Sequence, residues 1–405
     1  MTTASAGATK KAGPLAGCRV IEIGRFVTGP YCAQLLADLG AEVTKIEDRE
    51  GGDPFRGWGR GSAQAGYGAP FLAFNRNKRS LALELKHPRS REVIARLAAR
   101  ADVLVENFRP GVAENLGFGY EALAAANARL VYCSVTGMGP DGPYAQRPSY
   151  DIVGMGLSGL LSQLVDMNDP RQMGPAMSDA LTGLFAAYGV LAALQGRERT
   201  GRGQRVDVNQ LQATMSFMNE PYSALFTNGR APDALDRPRA SGVYSFLCRD
   251  GKPLAIHLSS PPKFWKAFVT AAGHPEMVED ARFRTHSDRT SNHRTAHDLL
   301  APVFSGKTRA EWMQILEKAD VPFAPIYRLD EVVKDPQVQH LGMVATATHP
   351  KRGQVQLLGY PVTLGGTPLG APTAPPELGE HGDALLSEAG YTPEEIAELR
   401  DQHVL

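Results

Sequence analysis

A carboxylate at the start of an apolar helix can serve as a helix cap or as a nucleophile, and the segment Met173–Gly183, MGPAMSDALTG, poses that choice at Asp179. From Ala180 the chain runs ALTGLFAAYGVLAALQG, apolar on nearly every face and rich in Ala and Leu, which predicts a buried helix. Ser178 and Asp179 stand at its start. Side-chain oxygens there accept bonds from unpaired backbone N–H groups, and the positive end of the helix dipole favours an anion. As a nucleophile instead, the carboxylate would form covalent intermediates.

Two other groups of residues invite chemistry and support it less. HRTAH would put His293 and His297 on one helical face, but it lacks the Glu of H-E-x-x-H and has no evident third ligand. Two solvated histidines and no metal are expected. Cys18, Cys32, Cys133 and Cys248 are scattered without a CxxC pair, which reads as thiols in a reducing cytoplasm.

The elements that must position Asp179 follow an α/β pattern. Strands are expected at Arg19–Ile23, Glu42–Glu47, Ser80–Leu85, Asp102–Glu106, Leu130–Val135 and Arg205–Val208, with helices at Gly29–Leu39, Arg89–Ala101 and Tyr120–Ala126 between them. This predicts a Rossmann-like open parallel sheet, with a ligand crevice beyond the carboxyl ends of its strands. Glu47 ends the second strand, where a dinucleotide-binding dehydrogenase holds a ribose. The first turn, however, reads GRFVTGP, without the glycines that admit a pyrophosphate, and this argues against that class.

The stretch 219–241, rich in Pro, Ala, Asn and Arg, reads as a linker. A smaller α+β domain is expected over 242–325, opening with a hairpin that turns at Asp250–Gly251, followed by helices near Pro262–Ala271 and Arg309–Lys318. Lys plus Arg and Asp plus Glu balance at 43 each, so no global field draws nucleic acid or a membrane surface, and any anion site must be local. No apolar run reads as long enough for a membrane span. The opening MTTASAGATKKA reads as a disordered tail.

Along the chain, PLAGCRVIEIGRFVTGPYCAQLLADLGAEVTKIEDREGGDPFRGWG, FNRNKRSLALELK, ADVLVENFRPGVAENLGFGYEAL, SVTGMGPDGPY, SYDIVGMGLSG, SDALTG, TGRGQRVDV, DPQVQHLGMV and LGEHGDALLSEAGYTPEEIAELR follow one another. This ordered set resembles the family III (CaiB/BaiF-type) CoA-transferases, the group of formyl-CoA and carnitine CoA-transferases. The resemblance implies a large domain over 14–218, completed by a return segment over 326–405, and an interlocked homodimer. It implies acyl-CoA and carboxylic acid substrates, with succinyl-CoA as a candidate donor, and no tightly bound cofactor. Asp179 would form an acyl anhydride and then an aspartyl-CoA thioester in turn. Matching blocks carry CoA contacts onto Val27, Thr28, Leu83, Lys86, Asn107, Phe108 and Arg109, with Arg49 and Arg76 as further cations for its phosphates. The oxyanion donors stay unassigned.

Two departures from related proteins bear on the reaction. The α-methylacyl-CoA racemases share the implied fold and exchange the α-proton with a histidine that falls where this chain has Tyr150. A phenol titrating near 10 is a poor base near neutrality, so transfer is favoured over racemisation, and Tyr150 would border the thioester. An acyl-CoA binder without turnover is the remaining alternative, which a carboxylate beside a thioester disfavours. Formyl-CoA transferases also carry a run of glycines in the small domain that this chain lacks, which counts against formate and oxalate.

Overall fold

The computed structural model describes residues 12–59, 66–171, 174–259 and 262–405. The expected N-terminal tail, but for Ala12, and Met173 of the MGPAMSDALTG segment lie outside them. The chain divides into two compact units. The first takes the described residues up to Leu160, Gly174–Met218 and Leu341–Leu405; the second takes the stretch from Leu161 and Asn219–His340.

In the first unit six parallel strands run in the order β3-β2-β1-β4-β5-β6. They are β1 (Arg19–Ile23), β2 (Glu42–Glu47), β3 (Lys78–Ala82), β4 (Val103–Glu106), β5 (Val131–Thr136) and β6 (Arg205–Asn209). Every residue of β4 and β5 is buried, as befits parallel strands covered on both faces. Alternation divides their side chains between two cores: Val20, Val43, Val103, Val105, Val131 and Cys133 face one way, and Ile21, Ile23, Leu81, Leu104 and Tyr132 the other. β3 ends three residues before the expected Leu85. Leu83 N–H still reaches Glu47 O, but Glu84 N–H turns away to Val404 O, which ends the ladder.

The helices that carry the site are α1 (Thr28–Asp38), α2 (Asp151–Leu157), α3 (Met177–Thr200) and α4 (Gln210–Phe217). By length and composition α3 is apolar enough to cross a membrane, contrary to expectation, but one of its faces serves the core. Ala186, Ala187, Val190 and Ala193 pack against the sheet with Cys32, Ala33 and Leu36 of α1. Gly183 lets the two helices touch, since a Cβ there would stand 2.9 Å from the Thr28 carbonyl oxygen. The returning segment adds the hairpin Val344–His349/Gly353–Leu358 and the helices Gly382–Glu388 and Pro393–Asp401, whose Leu385, Leu386, Ile396 and Leu399 join the second core.

The second unit holds the antiparallel sheet β7-β8-β9, from β7 (Val243–Leu247), β8 (Pro253–His257) and β9 (Phe323–Pro325). Gly251, at φ +69°, takes the left-handed turn between β7 and β8. Helices Pro262–Ala271, His293–Phe304 and Arg309–Lys318 cover one side, burying Trp265, Phe268, Phe304 and Trp312. The stretch read as a linker contains helices Asn219–Asn228 and Asp236–Ala240. Tyr222 and Phe226, one turn apart, meet ring to ring, a local pairing that its mixed composition masks. His293 and His297 are not simply the two solvated histidines expected. Their rings stack on Tyr244 and Phe246, and each Nε2–H donates to a β7 carbonyl, Val243 O at 2.8 Å and Ser245 O at 3.2 Å.

Candidate active site

Helix α3 begins at Met177, three residues ahead of the expected start, so Asp179 occupies its first turn rather than its cap. The Ala176 side chain cannot cap. Asp151, the first residue of α2, accepts the Asp179 N–H at 3.0 Å and leaves the Asp179 carboxylate free for other work. One of its oxygens accepts a hydrogen bond from the Gln210 side-chain amide, whose own oxygen accepts the Ser149 hydroxyl. Gln210 is aimed there because α4 starts directly where β6 ends: Asn209 caps the helix by accepting Gln212 N–H at 2.9 Å. Behind the carboxylate, the Ser178 and Thr214 hydroxyls bond at 2.7 Å. α2 comes close enough only because residue 154 is glycine, where a Cβ would lie 2.2 Å from Ser178 Oγ.

Burial first, and the negative charge of Asp151 second, push the Asp179 carboxyl up to about 6 against the opposing bond from Gln210. Burial also raises Asp151, which the backbone N–H groups of Asp179 and Ser178 hold down. The carboxylate is thereby more basic than an ordinary aspartate, yet ionised near neutrality, a combination suited to nucleophilic attack.

Asp179 and Gln210 line a pocket at the carboxyl ends of β1, β4 and β5, walled by the turn Arg25–Thr28, the turn Asn107–Pro110, Thr136–Gly137 and the segment Arg147–Tyr150. β1 and β4 are the neighbours at which the strand order reverses, the place where open sheets of this kind take ligands. Asn107 ties the two turns together: Oδ1 accepts Arg25 N–H at 3.0 Å, and Nδ2 donates to Arg25 O at 2.8 Å and Thr28 Oγ1 at 3.0 Å. Phe26 adopts the left-handed region at φ +64°. Its ring packs edge-on against Phe55, Trp58 and Tyr150, forming an aromatic wall with Tyr150 largely exposed.

Of the residues singled out in the sequence, Val27, Thr28, Asn107, Phe108, Arg109 and Tyr150 line this pocket together with Asp179. The other four stand apart from it. Leu83 is fully buried in the second core, and Arg76 is buried with its guanidinium on Asp38 at 2.5 Å. Arg49 donates to His403 O at 2.9 Å, and Lys86 is exposed beyond β3. Gln210, Asp151, Ser149 and Arg147 were not anticipated. The signals were slight: an acid next to Tyr150, and an Asn-Gln pair directly after a β-branched run.

The raised carboxyl makes a stability prediction. An acid whose folded-state pKa lies above its unfolded value costs stability once pH rises through that interval, and costs nothing below it. Asp179→Asn should therefore stabilise the protein above pH 6 by about 1–3 kcal/mol, discounted for the part of the carboxylate that water reaches, with no gain below about pH 4. Urea unfolding at several pH values checks this.

Residues 15–382 match the family model "CoA-transferase family III". The chain is 33% identical to the succinyl-CoA:glutarate CoA-transferase of Mus musculus over 93% of this chain and 86% of that protein. It is 35% identical to the acetyl-CoA:oxalate CoA-transferase of Acetobacter aceti, over 94% and 96% respectively. A crystal structure of a CAIB/BAIF family protein from Brucella suis matches with a TM-score of 0.83 and 32% identity, covering 94% of this chain and 100% of that one. A match across nearly the whole chain, with a parallel sheet whose switch-point crevice holds a half-buried carboxylate, makes this protein an enzyme of CoA-transferase family III.

Proposed function

We propose that the protein moves CoA from an acyl-CoA donor to a carboxylic acid with Asp179 as covalent nucleophile, a reading carried by the basic, half-buried Asp179 carboxylate in the crevice. The carboxylate oxygen that Gln210 does not hold attacks the thioester carbonyl and expels CoA thiolate, leaving a mixed anhydride. The thiolate then attacks the aspartyl carbonyl and releases the donor acid, which leaves an aspartyl-CoA thioester. An acceptor carboxylate expels CoA again to form a second anhydride. Return of the thiolate to the acceptor's acyl carbon yields the new acyl-CoA and restores Asp179.

Relatives named for succinyl-CoA with glutarate or D-citramalate support succinyl-CoA as the donor and a dicarboxylate as the acceptor. CoA enters and leaves as substrate, along the turns that carry Val27, Thr28, Asn107, Phe108 and Arg109 and past Tyr150, with the exposed Lys86 and the half-buried Arg49 carried over by resemblance. Incubating the protein with succinyl-CoA and a panel of acids, read by mass spectrometry, identifies the pair. The four free cysteines favour a reducing, cytoplasmic setting. The working unit is an interlocked homodimer, supported by the exposed apolar residues Leu184 and Tyr188, one turn apart on α3, and Phe217 on α4.

Asp179→Ala should abolish CoA exchange, and hydroxylamine added during turnover should modify Asp179 in the wild type; full activity in the variant refutes the nucleophile. Arg109 lines the pocket exposed, where a charge-assisted bond to phosphate contributes about 1.5–3 kcal/mol, so Arg109→Ala should weaken acyl-CoA binding roughly ten- to a hundredfold. Unchanged affinity removes that anchor. Sedimentation at micromolar concentration should give a dimer, and a monomer there refutes the assembly.

A further inference from the structure

Beneath the turn Arg25–Thr28 lies a group of charges that the transfer steps do not use. The side chains of Glu22, Lys45 and Lys78, from β1, β2 and β3, are wholly buried. Glu22 accepts from Lys45 Nζ at 2.8 Å and from Lys78 Nζ at 3.0 Å, and Asp53 lies 3.1 Å from Lys45 Nζ. Beside them, Glu47 pairs with buried Arg56 at 2.7 Å and acts on Lys45 as a further charge. Three carboxylates thus balance three cations out of reach of water. Such a cluster is weak as a source of stability, because desolvating the charges cancels much of their attraction and apolar side chains of like volume often serve as well.

What the lysines hold explains them better. Besides Glu22, Lys45 Nζ donates to Gly24 O at 2.9 Å, and Lys78 Nζ donates to Pro30 O at 2.8 Å and Asn75 Oδ1 at 2.9 Å. Gly24 and Pro30 flank the turn that supplies Arg25, Phe26, Val27 and Thr28 to the pocket. Asp53, held by Lys45, accepts the N–H of Phe26, the turn's left-handed residue, at 3.3 Å.

We propose that Lys45 and Lys78 are positioning residues for acyl-CoA: their ammonium groups grip the carbonyls on either side of the Arg25–Thr28 turn and fix the pocket wall that the thioester meets. The inference rests on the reading of the crevice as the acyl-CoA site. It predicts a defect in binding rather than in chemistry, since Asp179 stands on a different element.

A single replacement would leave a buried charge unpaired and threaten the fold, so the primary variant removes one charge of each sign, Glu22→Gln with Lys78→Met. In the full-length protein this pair should raise the Kd for succinyl-CoA by calorimetry, and its KM, about tenfold or more, with kcat at saturating succinyl-CoA close to the wild-type value. A lower melting temperature with unchanged Kd and KM overturns the proposal, because that is the pattern of a purely structural cluster. Should the double variant not fold, Lys45→Arg and Lys78→Arg keep the charge but displace the donors. A raised KM in either supports the proposal, and wild-type KM in both overturns it. Wild-type protein that binds neither succinyl-CoA nor free CoA removes the underlying reading of the crevice, a result distinct from a variant that binds normally.

Discussion

The constraint on which the site depends is the reversal of strand order between β1 and β4. Paired strands that send their connections to opposite faces of a sheet leave a gap beyond their ends that no helix fills. The turns after β1, β4 and β5 edge that gap, and Tyr150 just before α2, Asp179 in the first turn of α3 and Gln210 at the start of α4 reach it. Asn107 spans it with one side chain, so the two turns keep their spacing without a covering element.

Within this frame the reactive carboxylate gains its character from what its neighbours do for the backbone. Asp151 takes over the capping of α3, which frees Asp179 from local hydrogen bonding and also sets a second negative charge beside it. One substitution of roles thus frees the carboxylate from the helix backbone and adds to the basicity that burial confers. The close packing that allows it depends on absent side chains: Gly154 admits α2 to Ser178, and Gly183 admits α1 to α3.

The sheet was readable in the sequence because its strands are short β-branched runs separated by helical stretches, and β1 and β2 fall at the expected residues. The apolar helix after Asp179 was readable from its length and its Ala- and Leu-rich composition. Its exact start was not, since the cap comes from a residue 28 positions earlier, and Gln210 reaches the carboxylate from 31 positions later. Partnerships through space leave no local trace. Arg76 illustrates the same point, as a cation whose sequence surroundings suggest a phosphate ligand while the fold pairs it with Asp38. The mixed composition of the 219–241 stretch hides its helices, where the rings of Tyr222 and Phe226 meet and Asp236 accepts Asp233 N–H at 2.8 Å.

The histidines of the second unit carry a consequence of another kind. β7 is an edge strand, and a bare edge is a template on which a foreign chain can add itself as a further strand. His293 and His297 occupy the outward carbonyls of Val243 and Ser245 while their rings lie flat on the strand's own aromatic residues. Two of the acceptors that an invading strand would need are thus engaged, which guards this margin against intermolecular β-pairing with side chains of the same chain, without proline or a row of lysines in the strand to repel a newcomer.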